Sequence, residues 1–240
     1  MTIQPISACV FGASGGIGAA LVAGLARRDD VAQVYAGART VPSGGAKILP
    51  FRFDLEEESS IAAAVAMMSE ARPRLIIVAT GMLHADGIAP EKSLRTQSVD
   101  AYARLFAVNA IGPALIAKHM LAAPPRTGRL MFAALSARVG SITDNRLGGW
   151  HAYRASKAGL NMIVRNVAIE LARINPDAMA VTLHPGTVDT GLSAPFQQNV
   201  AQGKLFTPDY AAGHILSVLD NLTPIQSGQC FAWDGSPIPF

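Results

Sequence analysis

The sequence predicts an α/β fold: a doubly wound, mostly parallel sheet of seven strands, in the order 3-2-1-4-5-6-7, with helices on both faces. Three observations predict it. Short apolar runs alternate with longer amphipathic ones, and repeated strand–helix alternation builds parallel strands joined by right-handed crossovers. A glycine-rich turn, Gly12-Ala13-Ser14-Gly15-Gly16-Ile17-Gly18, directly follows the first apolar run. Half of the 240 residues are apolar and only 15% are charged, which suits a sheet covered on both faces and not a disordered chain.

The elements follow in order. Residues 8–11 read as the first strand, and Ile17, Leu21, Val22 and Leu25 then recur at helical spacing. Residues 34–38 form the second strand and 47–53 the third. Pro50 lies in the third, where it removes a backbone donor and demands a sheet edge; in this strand order the third strand is that edge. A helix over 59–71 leads to a continuous apolar strand at 75–79. Helices cover 99–121, a fifth strand 129–135, and a long helix 152–174 follows a glycine-rich loop. The sixth strand is 179–184, the last helix 209–219 and the last strand 229–233. Nothing reads as a linker or a repeat, so residues 1–240 make one domain. The polar stretch around 190–206, with Gln197, Gln198, Asn199 and Gln202, is its substrate lid.

Composition narrows the function. The formal charge is +3 with no run of Lys or Arg, so no basic stripe for nucleic acid exists. No apolar run reaches the roughly 20 residues of a membrane span, and residues 1–5 lack the pattern of a secretory leader. Cys9 and Cys230 sit in apolar, strand-like runs and read as buried reduced thiols. A cytoplasmic protein with neither a membrane nor a nucleic-acid partner is expected. His84, His119, His151, His184 and His214 are scattered without metal-ligand spacing, so no metal site is expected.

Three motifs carry chemistry. The glycine turn opens a helix, where bare backbone N–H groups and the helix dipole receive a pyrophosphate. Its spacing is Gly-x-x-x-Gly-x-Gly. Arg39 stands at the end of the second strand, and no Asp or Glu occurs between Asp30 and Asp54. A carboxylate there would bind a ribose 2′-hydroxyl, whereas an arginine fork accommodates a 2′-phosphate, so NADP(H) is favoured over NAD(H). In Tyr153-Arg154-Ala155-Ser156-Lys157, positions i and i+4 share a helix face. A neighbouring ammonium lowers a phenol pKa toward the working range of a proton-transfer group.

Together, Gly12-x-x-x-Gly16-Ile17-Gly18, Ala79-Thr80-Gly81, Asn109, Tyr153-x-x-x-Lys157 and Pro185-Gly186-x-Val188-x-Thr190 closely resemble the short-chain dehydrogenase/reductase family, nearly end to end and in order. Arg138-Val139-Gly140-Ser141-Ile142, Gly148-Gly149-Trp150, Ser227-Gly228-Gln229 and Trp233-Asp234-Gly235 resemble its branch of C-factor and sniffer-type carbonyl reductases. The resemblance implies a Rossmann-like fold and hydride transfer between a nicotinamide and a small carbonyl or alcohol substrate. Tyr153 would be the general acid or base, and Lys157 would bind the ribose and lower the Tyr153 pKa. Asn109 would hold a water of the proton relay. Gly12, Ser14, Gly16, Ile17 and Gly18 would line the pyrophosphate, Asp54 the adenine, and Ala79 and Gly81 the adenine ribose. Pro185, Val188 and Thr190 would border the carboxamide. Family members pair through two long helices, giving a homodimer or homotetramer.

One departure stands out. The family has Ser-Ser-x-x-Gly after strand five, and its second serine polarises the substrate carbonyl; here Ala137 takes that place in Leu135-Ser136-Ala137-Arg138-Val139-Gly140. Ser141 and Ser136 are both candidate replacements. Ser141 is preferred, because strand alternation turns Ser136 to the opposite face. The alternative function is a non-catalytic NADP(H)-binding regulatory or signalling protein. A sugar-nucleotide epimerase would need a substrate domain after strand six, for which little chain remains.

Overall fold

A computed structural model describes residues 5–240 of the chain; residues 1–4, part of the stretch read for a leader, lie outside. The elements are β1 (Ile6–Phe11), α1 (Gly16–Ala26), β2 (Val31–Ala38), β3 (Ile48–Arg52), α2 (Glu58–Ala66) and β4 (Leu75–Val78). Then come α3 (Val99–Phe106), a π turn (Ala107–Ile111), α4 (Gly112–Met120), β5 (Leu130–Leu135), α5 (His151–Ile174) and β6 (Ala178–His184). The chain finishes with β7 (Thr187–Val188), β8 (Leu205–Phe206), α6 (Pro208–Asn221), β9 (Cys230–Ala232) and β10 (Pro237–Ile238).

The main sheet runs β3-β2-β1-β4-β5-β6-β9-β10, the expected order with one strand more. Pro50 does lie on the edge strand, where the missing N–H faces no neighbour. The eighth strand was not anticipated: β10 folds back antiparallel on β9 through a turn containing Asp234-Gly235, with Gly235 at φ +82°. Asp-Gly is a hairpin signal, here hidden in a chain that otherwise pairs in parallel. The helix expected over 59–71 ends earlier, at Ala66.

Strand alternation divides the core into two layers. Ala8, Val10, Ile77, Ala133 and Val181 pack beneath α1 and α6, against Leu21, Leu25, Ile215 and Leu219. Cys9, Phe11, Ile76, Val78 and Phe132 face α2, α4 and α5, meeting Ile61, Ile116, Leu160 and Val164. Both free cysteines are buried in strands.

The helical run Val99–Met120 is long and apolar enough to match a membrane span by composition, although the sequence reading found no such stretch. It carries the fully buried Asn109 and packs on α5 and α2, as a core helix does. Pro113 offers no N–H to the carbonyl four residues earlier, and the run relaxes there into the π turn, a feature frequent at functional sites.

Candidate active site

Three contiguous cavities follow the C-terminal edge of the sheet, beside the point where strand order reverses between β1 and β4. The first, about 510 Å³, is lined by Gly12, Ser14, Arg39, Asp54, Ala79 and Gly81, among others. The second, about 410 Å³, shares Ser14, Ala79 and Gly81 with it and adds Gly16, Ile17, Gly18 and Lys157. Tyr153, Ser136, Pro185 and Thr190 belong both to the second and to a third, also about 410 Å³, walled by Leu83, Val139, Trp150, Val188, Leu192 and Phe196. One groove therefore leads from Arg39 to Trp150.

The glycine turn is built for close approach. Gly12 has φ +94°, and a Cβ there would lie 2.9 Å from the Thr80 backbone nitrogen. A Cβ on Gly18 would fall 2.1 Å from the Gly12 carbonyl oxygen, so only glycine lets α1 start against the turn. Arg39 is exposed in the first cavity, and no described carboxylate pairs with it. Asp54 is held locally, its carboxylate accepting the Glu56 N–H while its own N–H donates to Ser60 Oγ. Thr80 Oγ1, buried between the first two cavities, has no hydrogen-bond partner among the described residues.

Tyr153 sits in the first turn of α5, 7% exposed. Lys157, one turn on, is also buried; its Nζ donates to the Leu135 carbonyl at 2.9 Å and lies 5.9 Å from the Tyr153 ring centre. The expected depression of the phenol pKa is reversed here. Burial disfavours both charged forms, pushing Tyr153 above its ordinary value and Lys157 down to about 8. Behind them, Asn109 accepts the Met82 N–H and donates to the Met82 carbonyl and Ser156 Oγ. It lines none of the three cavities directly, but a Cβ on Gly81 would lie 3.5 Å from Lys157 Nζ and 3.6 Å from Asn109 Oδ1, so both border one small space.

The two candidate serines lie in different places, and Ser141 is the one outside the cavities. Its buried hydroxyl accepts the Asp144 N–H at 3.0 Å, bracing a turn away from the cavities. Ser136 instead lines the second and third cavities beside Tyr153. Alternation holds through the end of β5 and turns Ser136 to the face of α5, the helix bearing Tyr153; its hydroxyl donates to Asn161 Oδ1 on that helix.

Several wall residues escaped the sequence reading. Trp150 adopts the left-handed conformation at φ 52°, an unusual state for a bulky residue. Glu91, buried, holds it there: its carbonyl accepts the Trp150 N–H and its carboxylate the Ala152 N–H. The indole stands edge-on to Tyr153 at 6.1 Å and 5.4 Å from Phe196. Residues 190–206 leave β7 and return as β8, which pairs with it. Leu192, Phe196 and Val200 turn inward, while Gln197 bonds Asp189 and Ser193; the Asn199 side chain lies outside the described residues. The polarity of this stretch thus described its outer face. Phe206 meets Trp233 at 4.7 Å. His184 also lines the third cavity, and its one sequence signal was its place before Pro185.

A family model described as enoyl-(acyl carrier protein) reductase matches residues 12–235. The chain is 37% identical to C-signal of Myxococcus xanthus over 139 residues, 58% of this chain and 78% of that protein. It is 30% identical to 1-hydroxy-2-glutathionyl-2-methyl-3-butene dehydrogenase of Rhodococcus sp. over 184 residues, 76% of each. The crystal structure of NADPH-bound carbonyl reductase from chicken fatty liver superposes with a TM-score of 0.83 at 24% identity, over 99% of this chain and 95% of that one.

Proposed function

This chain belongs to the short-chain dehydrogenase/reductase family of oxidoreductases, and from that premise we propose that it is an NADP(H)-dependent reductase of a small, largely apolar carbonyl compound. The observation that carries this reading is the continuous groove with an unpaired Arg39 at one end and Tyr153 beside Lys157 at the other. The groove fits a dinucleotide in shape and chemistry. Bare glycine faces meet it at the start of α1, and Thr80 Oγ1 waits without a partner in its wall.

Arg39, in the same cavity as Ser14, would receive the 2′-phosphate, and Asp54 would face the adenosine end. Ile17, Pro185, Val188 and Thr190 confine the nicotinamide end. When bound, the reduced nicotinamide supplies the hydride to the carbonyl carbon. Tyr153, kept protonated by burial, gives its proton to the carbonyl oxygen. Lys157 binds the ribose and stabilises the resulting phenolate, and a water held between Lys157 and Asn109 beside Gly81 returns the proton. Ser136 polarises the carbonyl in place of Ala137. A half-turn of the Asn161 amide makes its nitrogen the donor to Ser136 Oγ and frees the hydroxyl proton for substrate.

Likeness to C-signal favours a second reading, a signalling protein that binds cofactor without turnover; the intact Tyr153, Lys157 and Asn109 set weighs against it. A cytoplasmic location fits the two buried thiols. Exposed Ile111, Met162 and Ile169 on the π turn and α5 support pairing of two copies through the α4–α5 face, as a homodimer or as half of a homotetramer. The deciding experiment follows NADPH absorbance while aryl and alkyl ketones are added to the purified protein. Consumption of NADPH with stoichiometric alcohol supports the reading, and tight NADPH binding without oxidation across the panel overturns it.

A further inference from the structure

We propose that Glu91 is a positioning residue that sets the width of the substrate site: it keeps the indole of Trp150 as a fixed wall beside Tyr153 and so discriminates against broad substituents on the carbonyl. This rests on the carbonyl-reductase reading and adds to it the group that shapes the site.

The turn that opens α5 is strained. Gly148, Gly149 and Trp150 have φ of +62°, +64° and +52°, three left-handed residues in succession. Glycine adopts that state freely, whereas a Cβ is crowded there by the backbone carbonyl. Strain of this kind persists only where the surroundings impose it, and it gathers at functional sites.

Glu91 imposes it. The residue lies in the connection between β4 and α3, outside any helix or strand, and is 3% exposed. Its carbonyl accepts the Trp150 N–H at 2.6 Å, and its carboxylate accepts the Ala152 N–H at 3.2 Å and 3.3 Å. One residue thus grips two N–H groups of the same turn, and the side-chain grip fixes where the main-chain one falls. Trp150 is the N-cap of α5 and offers no side-chain acceptor, so Glu91 supplies the cap from a distant part of the chain. From the other side, Arg154 donates to the Gly149 and Val139 carbonyls, which ties the turn to a second wall of the cavity.

Stability alone does not account for this carboxylate. None of the described Lys, Arg or His side chains pairs with it, and a buried charge without a cation is costly. What it secures is the direction of the indole. The left-handed backbone places that ring edge-on to Tyr153 at 6.1 Å and 5.4 Å from Phe196, closing the cavity with Leu83 and Val139. A return of residue 150 to negative φ turns its Cα–Cβ bond away and takes the indole out of the wall.

The test follows the ratio of kcat/KM for 1-acetonaphthone to that for acetophenone, one fused ring narrower, with the full chain and saturating NADPH. In Glu91→Leu and in Trp150→Ala the ratio should rise about tenfold or more, the scale on which a pocket wall separates substrates of different size. The double variant should exceed Trp150→Ala by no more than about twofold, because Glu91 acts through the indole. Glu91→Gln, whose amide oxygen still accepts the Ala152 N–H, should keep most of the wild-type discrimination. A role confined to stability would lower the melting temperature and leave the ratio in place. An unchanged ratio in either single variant, effects that add in full, or a glutamine variant no different from the leucine one overturns the assignment. If Glu91→Leu does not fold, Glu91→Asp, one methylene too short to reach Ala152, replaces it in the same cycle. Wild-type protein that binds NADPH yet reduces neither ketone overturns the reductase reading, and this inference falls with it.

Discussion

The hydroxyl of Ser136 donates to Oδ1 of Asn161 across 2.8 Å, tying the end of β5 to α5 one cavity wall away from Tyr153. Loss of one well-placed oxyanion-type donor costs about 10²–10³ in rate. Ser136→Ala should therefore lower kcat into that range with any ketone the protein reduces. Ser141→Ala should change kcat only a few-fold, because that hydroxyl braces a turn. Steady-state kinetics of the two variants side by side decide; a larger loss in Ser141→Ala would restore the original preference.

Arg39 determines the second prediction. A charge-assisted hydrogen bond contributes about 1.5–3 kcal/mol, so Arg39→Ala should weaken NADPH binding roughly tenfold or more and leave NADH binding nearly untouched. Isothermal titration with both cofactors measures this directly, and equal affinities in the unaltered protein would exclude a 2′-phosphate site at Arg39.

Tyr153→Phe removes the proton donor and little else. Turnover should disappear while NADPH affinity stays within a few-fold of normal. Substantial residual activity would assign proton transfer to another group.

Buried Lys157 predicts a pH dependence of stability. Its pKa is about 8 folded against 10.5 unfolded. Between those values the unfolded chain binds the extra proton, so stability rises as pH climbs from 8 to 10.5, and the full burial penalty applies below 8. Lys157→Met should raise the cofactor-free Tm at pH 7 by several degrees, the gap closing toward pH 10, with the lost bond to Leu135 offsetting part of the gain. Melting curves across that range check it; a gap independent of pH contradicts it.

Within the glycine turn, two neighbours should behave oppositely. A Cβ on Gly15 would meet the Gly12 oxygen at 3.5 Å, ordinary contact, whereas on Gly18 it would fall at 2.1 Å from that same backbone atom. Gly15→Ala should melt within a few degrees of wild type, and Gly18→Ala should be severely destabilised or fail to accumulate. Thermal melts of the pair test the packing directly.

What the sequence disclosed followed how local each cause was. Pro50 announces an edge by what its own backbone lacks, and the turn at Gly12 demands glycine through contacts within a few residues. The strand order followed from alternation and handedness. Ser136 was passed over because the face a strand residue takes matters only relative to the helix that covers it, and α5 begins fifteen residues further on. The pKa of Tyr153 was misjudged for a similar reason: the motif shows the neighbouring cation, while burial comes from distant parts of the chain.

The indole of Trp150 leans on Phe196, and the indole of Trp233 on Phe206; these are the two tryptophans in the chain, and Phe196 lies in the excursion between β7 and β8 while Phe206 lies in β8, where the excursion ends. The protein thus carries its own optical gauge. Any swing of that segment alters the surroundings of both fluorophores together, so opening and closing over the cavity should be readable from intrinsic emission, with no dye attached.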